Sequence, residues 1–426
     1  MRIKDIHIEN FKGIENKDIY FNEQFNVLIG ENGAGKSSIL DAISIGLGTF
    51  LMNTNASFGL KGTKSRPLQK DEIRKVIVSD NNIELTNVEL SGTFCIDTTN
   101  DCISWKREQR VGAKTLTVRD AYGLKRYGHQ IVQELNTNLK LPLFANHTTG
   151  RLWGQIYEKS KTEKIIEYEK TGSRLDGYYA CLDPRSIDQT FLKWFKTYED
   201  NILKFNKNPD LYIAFTRAIT SMVKDWNEIH FHWGLDDILG KNDEGQWVQL
   251  RNLSDGYKGI ISLTADIAYR AIKLNPHLGE RAVVDSVGIV LIDEIDMHLH
   301  PKWQRHIVED LKRTFPRIQF IVTTHSPFIV QSLKAHEVIN LDGNKLSENP
   351  DVLTIEENAL FMGVLDDNSD KFDRKEKLAT EYLRLLDVNN PSEEALNNLE
   401  GLLIEFSDDP AFVAKLKLEK LIKLAK

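Results

Sequence analysis

The sequence predicts an α/β fold in which a mixed sheet with an antiparallel N-terminal lobe carries a compact helical insertion and a helical C-terminal tail. Three observations predict it. A buried-strand pattern, Phe25-Asn26-Val27-Leu28-Ile29, runs into Gly30-Glu31-Asn32-Gly33-Ala34-Gly35-Lys36-Ser37 and then into helical spacing from Ser38 to Ile45. A second apolar run, Val287-Gly288-Ile289-Val290-Leu291-Ile292, ends in Asp293-Glu294. A third, Phe320-Ile321-Val322-Thr323-Thr324, ends at His325. Strands that are apolar nearly throughout belong to parallel sheets covered on both faces, and these sheets present functional groups at their C-terminal edges.

The first loop has the glycine spacing that turns backbone N–H groups inward around phosphates. Asn32, Gly33, Ala34, Gly35, Lys36, Ser37 and Ser38 are therefore candidate nucleotide contacts. Lys36 neutralises the β and γ oxygens of ATP or GTP, and the Ser37 hydroxyl is a ligand for Mg²⁺. At the end of the second strand, Asp293 would hold Mg²⁺ through water, and Glu294 would orient or deprotonate the attacking water. His325, at the third strand's end, can touch the γ-phosphate. Leu253-Ser254-Asp255-Gly256-Tyr257-Lys258 opens a further helix, with Ser254 as its N-cap and an anion-binding start.

The remaining elements follow in order. Residues 1–30 alternate as strands; a helix then runs to about Phe50, and a β-hairpin pattern spans about Ile83 to Val111. Helical spacing resumes from Val118 to about Asn138, followed by a short apolar strand at Leu141 to Ala145. Residues 190–226 read as helices rich in Phe, Trp and Lys, too short and without the sustained heptads of a coiled-coil arm. Strand patterns return at Glu228 to Trp233 and Trp247 to Leu250. The expected division is an N-terminal lobe at 1–151, an insertion at 152–227, a second lobe at 228–348 and a helical tail at 349–426. The tail has leucines at helical spacing in 376–386 and 392–403.

Length and composition bound the reading. The chain has 426 residues, with Lys+Arg 55 against Asp+Glu 62 and net charge -7, so no overall basic field marks a nucleic-acid binder. Cys95, Cys102 and Cys181 lack metal spacing and fit free thiols in a reducing compartment. The charged, alternating N-terminus is no secretory h-region, and no apolar run is long enough for a membrane, so the expectation is a cytoplasmic protein with no membrane association.

Taken in order, the loop, the capped L-S-x-G helix, the acidic strand and the strand-end histidine resemble the ATP-binding-cassette ATPases. By that resemblance the fold is a cassette-type ATPase head with ATP and Mg²⁺ as ligands. Two chains would pack head to tail as a homodimer or higher homo-oligomer, with Ser254 and Gly256 completing the partner's site in trans. Ile8-Glu9-Asn10-Phe11-Lys12-Gly13-Ile14 and Asp293-Glu294-Ile295-Asp296-Met297-His298-Leu299-His300-Pro301 look like the soluble branch that includes RecF-type and OLD-type ATPases, and Lys12 is carried over as a nucleotide contact. More narrowly, Leu299-His300-Pro301-Lys302-Trp303-Gln304, Phe315 to Phe320 and Thr323 to Pro327 resemble the ATPase subunits of Septu-type antiphage systems, also found in some retron systems. One departure stands out. Where a cassette ATPase has a coupling glutamine, this chain has Asn146-His147-Thr148-Thr149-Gly150-Arg151, leaving Asn146 or His147 to act there, while Arg151 reads either as a phosphate contact or as an exposed structural arginine.

His298 and His300, two apart, admit a zinc reading or packing at a dimer interface. The Trp and Tyr residues of 179–233 admit base stacking or, more in keeping with such residues, core or interface packing. Three functions compete: an assembly ATPase governing a separate nuclease, a RecF-like repair ATPase clamping DNA directly, and a self-contained nuclease. The last is disfavoured because only about 85 residues follow Leu341 and Asp366-Asp367 follows no apolar strand, too little for a second metal-binding domain with its own core. The first predicts a partner nuclease, of the HNH type, with nucleic acid entering through the assembled complex.

Overall fold

The computed structural model describes residues 1–363 apart from 53–67, 80–81, 97–100, 114, 134–137, 150–172, 184–187, 206–207 and 344–348. The expected tail helices, Asp366-Asp367 and Arg151 lie outside these residues. The chain begins β1 (Arg2–Phe11), β2 (Ile14–Tyr20), β3 (Phe25–Ile29), α1 (Lys36–Leu51), β4 (Lys75–Ser79), β5 (Asn82–Leu85), β6 (Val88–Cys95), β7 (Cys102–Gln109), α2 (Tyr122–Gln133) and β8 (Leu143–His147). It continues α3 (Asp188–Phe205), α4 (Asp210–Met222), β9 (Trp226–His232), β10 (Asp237–Asn242), β11 (Trp247–Gln249), α5 (Asp255–Leu274), α6 (Ala282–Asp285) and β12 (Gly288–Ile292). After these come α7 (Pro301–Gln304), α8 (Ile307–Thr314), β13 (Ile318–Thr323), α9 (Pro327–Val330), β14 (Val338–Asn340) and α10 (Ile355–Phe361).

The apolar runs form a parallel sheet in the order β14-β3-β13-β12-β8. Every residue of β3, β12 and β13 is buried, as strands covered on both faces require. The order puts β13 between the strand that feeds the phosphate loop and the strand that ends in Asp293-Glu294. His325 therefore leaves the sheet between the two.

The N-terminal strands form a separate antiparallel sheet, β2-β1-β6-β7. Alternation explains its register: Ile3, Ile6, Ile8 and Phe11 of β1 are buried, whereas Lys4 is exposed. One buried side chain joins the two sheets. The Gln319 amide of β13 accepts from Ile3 N at 2.8 Å and donates to Ile3 O at 2.8 Å and Asn22 O at 2.7 Å, pairing with β1 as a neighbouring strand would.

The expectation of three free thiols is corrected here. Cys95 and Cys102 face each other across the β6–β7 hairpin and are joined as a disulfide. The spacing that excluded a metal site is the spacing that a hairpin turn brings into register. Cys181 stays free, and burial pushes its thiol up to about 12.

The helical stretch predicted over 190–226 is α3 and α4, and Trp226 already belongs to β9. Trp194, Phe195, Tyr212 and Phe215 within it are packing groups. Trp194 meets Phe215 and Tyr269 at ring separations of 5.1 and 5.6 Å, and Phe195 stacks on Tyr212 at 5.4 Å. β9, β10 and β11 form a three-stranded antiparallel sheet. Past β14, α10 carries a capping box between Thr354 and Glu357, and Asn358 Nδ2 donates to Pro350 O at 3.0 Å. Among the described residues no helix is long and apolar enough to cross a membrane.

Candidate nucleotide site

The loop after β3 turns on glycine. Gly33 and Gly35 take φ of 93° and 94°, left-handed values that cost other residues about 1–2 kcal/mol. α1 then starts at Lys36 with no side-chain cap, which leaves its first-turn amides to an anion. Lys36 is only 8 % exposed, and its Nζ donates to Gly30 O at 2.6 Å and Glu31 O at 2.9 Å. Burial lowers its pKa, while Asp342, Asp293 and Glu294 pull it back up.

The acidic strand meets this loop directly. Asp293 Oδ1 accepts from Ser37 Oγ at 3.1 Å and from Thr323 Oγ1 at 2.6 Å. A carboxylate and a primary hydroxyl converging at the phosphate loop are hard oxygen donors, a set that fits Mg²⁺ and not a softer metal. Glu294 comes next, with φ of 49°, and its N–H donates to Thr323 Oγ1 at 2.7 Å. A glutamate in the left-handed region is strained, and Thr323 holds it there: its hydroxyl donates to Asp293 while accepting from Glu294.

Thr323 is thus a positioning residue that the sequence reading quoted without a role. Thr323→Val keeps the shape and removes both bonds. Since a hydrogen bond to a charged group contributes about 1.5–3 kcal/mol, turnover should fall by roughly tenfold or more, with Thr323→Ser retaining most of it. Unchanged steady-state hydrolysis in a folded Thr323→Val chain would remove Thr323 from the site.

Asp342 is the second residue missed. Its carboxylate accepts from Glu31 N at 2.8 Å and so pins the loop's outer end. The signal was faint, a single Asp after the three-residue strand β14.

His325 sits half-buried at the sheet edge, as its strand predicted. Ser254 occupies the N-cap position of α5 with an extended backbone, yet its hydroxyl makes no capping bond. Gly256 has a local reason to be glycine, since a Cβ there would lie 2.6 Å from His298 O. Among the described residues, no hydrogen bond ties Ser254 or Gly256 to their own chain's loop. Lys12 pairs with Asp41 on α1 and lies 3.4 Å from Glu72 Oε1, so its ammonium is engaged with carboxylates beyond the loop.

At the glutamine position, His147 is buried with Nε2 3.5 Å from Asp266 Oδ2 of α5, and its carbonyl accepts from Asp293 N at 2.8 Å. The histidines considered for zinc have structural tasks. His300 Nδ1 accepts from Lys302 N at 3.2 Å as the α7 N-cap, and the His298 carbonyl faces Gly256. Among the described residues no three His, Cys, Asp or Glu side chains cluster to hold a metal.

Residues 2–347 match the model of the RecF/RecN/SMC N-terminal domain. The chain belongs to that family. It is an ATPase with the α/β head fold, antiparallel and parallel sheets included. Among curated relatives it is 27 % identical to the Retron Ec83 probable ATPase of Escherichia coli, over 98 % of this chain and 86 % of that protein. It is 28 % identical to the Septu protein PtuA of Bacillus mycoides (strain KBAB4), over 81 % of this chain and 41 % of the relative. Among solved structures, the SMC head domain from Thermotoga maritima aligns at 17 % identity and a TM-score of 0.43, covering 80 % of this chain and 94 % of that one.

Proposed function

We propose that this chain binds ATP with Mg²⁺, closes head to tail on a second copy, and hydrolyses the nucleotide as the cytoplasmic ATPase subunit of an antiphage system whose nuclease, of the HNH type, is a separate protein. The observation that carries the ATPase site is the convergence of Ser37 and Asp293 at 3.1 Å beside the buried Lys36. Lys36 and the loop amides orient and neutralise the phosphates. Glu294 takes the proton of the attacking water, and His325 reads the γ-phosphate. Ser37 and Asp293 would hold the Mg²⁺, which offsets charge on the β- and γ-oxygens when bound.

The head-to-tail arrangement is supported by Ser254, an N-cap whose hydroxyl makes no capping bond. Mixing Lys36→Ala with Ser254→Arg chains tests it. Each variant alone has two defective sites, whereas a mixed dimer has one site that retains both functions and should recover up to half of the natural turnover. Ser254→Arg alone with natural turnover and natural ATP-linked dimerisation would refute the trans site. The defence assignment is supported by the named relatives. Co-expression with a neighbouring nuclease gene should give phage protection and a co-purifying complex. Protection by this chain alone, with no nuclease recovered, would contradict it.

A further inference from the structure

The segment around His325 is strapped on both sides to the turn that follows the acidic strand. On one side Thr324 Oγ1 donates to Asp296 Oδ1 at 2.5 Å. On the other, Ser326 Oγ donates to Gln304 Oε1 at 2.6 Å, and the Gln304 amide nitrogen donates to Leu299 O at 2.8 Å. Ser326 N also donates to Thr324 Oγ1 at 3.0 Å, which closes the strap across His325. The far side of the same turn carries the His298 carbonyl against Gly256 at the start of α5. Glu294, just before this turn, and His298 within it hold positive φ, at 49° and 61°.

We infer that Gln304 is a positioning residue that couples the γ-phosphate reader His325 to the 296–299 turn, and through that turn to the Ser254–Gly256 helix start offered to the partner's nucleotide. The inference rests on the head-to-tail reading above. Its physical basis is that a primary amide has one acceptor and one donor face, and Gln304 spends the acceptor on the histidine segment and the donor on the turn. A movement of His325 toward a γ-phosphate therefore pulls on Leu299. The turn cannot absorb the pull freely, because His298 within it and Glu294 just before it already sit in a strained backbone region and the helix start leaves no room for a Cβ at Gly256. If the bonds only closed a buried polar cluster, their loss would lower stability and leave the catalytic parameters in proportion to folded protein.

Gln304→Leu should therefore leave ATP affinity within about twofold of the natural chain while lowering saturated turnover by roughly tenfold and weakening ATP-linked association. Ser326→Ala should reproduce the effect, Ser326→Thr should retain activity, and Gln304→Leu/Ser326→Ala should be no worse than Gln304→Leu, since one strap is broken only once. Ser326→Ala removes a single hydroxyl and carries the test if Gln304→Leu does not fold. Natural saturated turnover in both variants overturns the inference, as does a deficit that is additive in the double variant or matched by an equal loss of ATP binding. Glu294→Gln serves as the control: if it abolishes turnover while the strap variants do not, the strap fails and the site reading stands, and if it too is active, the site reading fails first.

Discussion

Lys36→Ala, folded, binds ATP more than about tenfold more weakly than the natural chain, because a charge-assisted contact to phosphate exceeds about 1.4 kcal/mol. Two features of the structure enlarge the effect. Lys36 is buried, so its charge acts in a medium of low effective dielectric, and among the described residues no other basic side chain bonds the same carbonyls of Gly30 and Glu31. Its folded pKa lies below the 10.5 of an ordinary lysine, chiefly through burial. The charged form binds phosphate, so ATP affinity should decline as pH rises through that lowered pKa, at a pH below that expected for an exposed lysine. Titration calorimetry with a non-hydrolysed ATP analogue measures both effects. Equal affinity in the two chains contradicts the assignment.

Glu294→Gln has the opposite signature. It keeps the side chain's shape, leaves the Thr323 bond to the backbone N–H in place, and removes the base, so saturated turnover should fall by roughly 10²-fold or more with ATP still bound. The loss should appear in kcat and not in nucleotide affinity, the inverse of Lys36→Ala. Together the two variants separate holding the phosphates from attacking them. Near-natural kcat in Glu294→Gln would move the base to another residue.

The parallel sheet and its edge were legible because their signals are local. An apolar strand, a glycine loop and a helix occupy consecutive residues, the strand ahead of Asp293 is apolar throughout, and the one ending at Thr323 carries the apolar run Phe320 to Val322. The groups that tune the site were less legible because they act across the fold. Thr323 reaches Asp293 over 30 residues, and Asp342 reaches Glu31 over 311, distances at which sequence spacing holds no geometric information. The disulfide was missed for a related reason. Composition argued for a reducing compartment, while the hairpin register that opposes Cys95 to Cys102 becomes visible only once β6 and β7 are paired. Gly256 was given a trans role only by the resemblance to cassette ATPases, and the structure adds the His298 carbonyl as a local reason for glycine. The polar ends of β10, Asp237 and Lys241-Asn242, masked a strand whose first four residues are buried.

ATP should join two copies of this chain through Ser254 and Gly256. The most direct test is the solution mass of the Glu294→Gln chain, which holds ATP without consuming it, measured by light scattering with and without ATP and Mg²⁺. Mass should at least double on adding ATP, and Ser254→Arg in the same background should abolish the increase while ATP still binds. A mass independent of ATP, or an ATP-driven increase that survives Ser254→Arg, would contradict it.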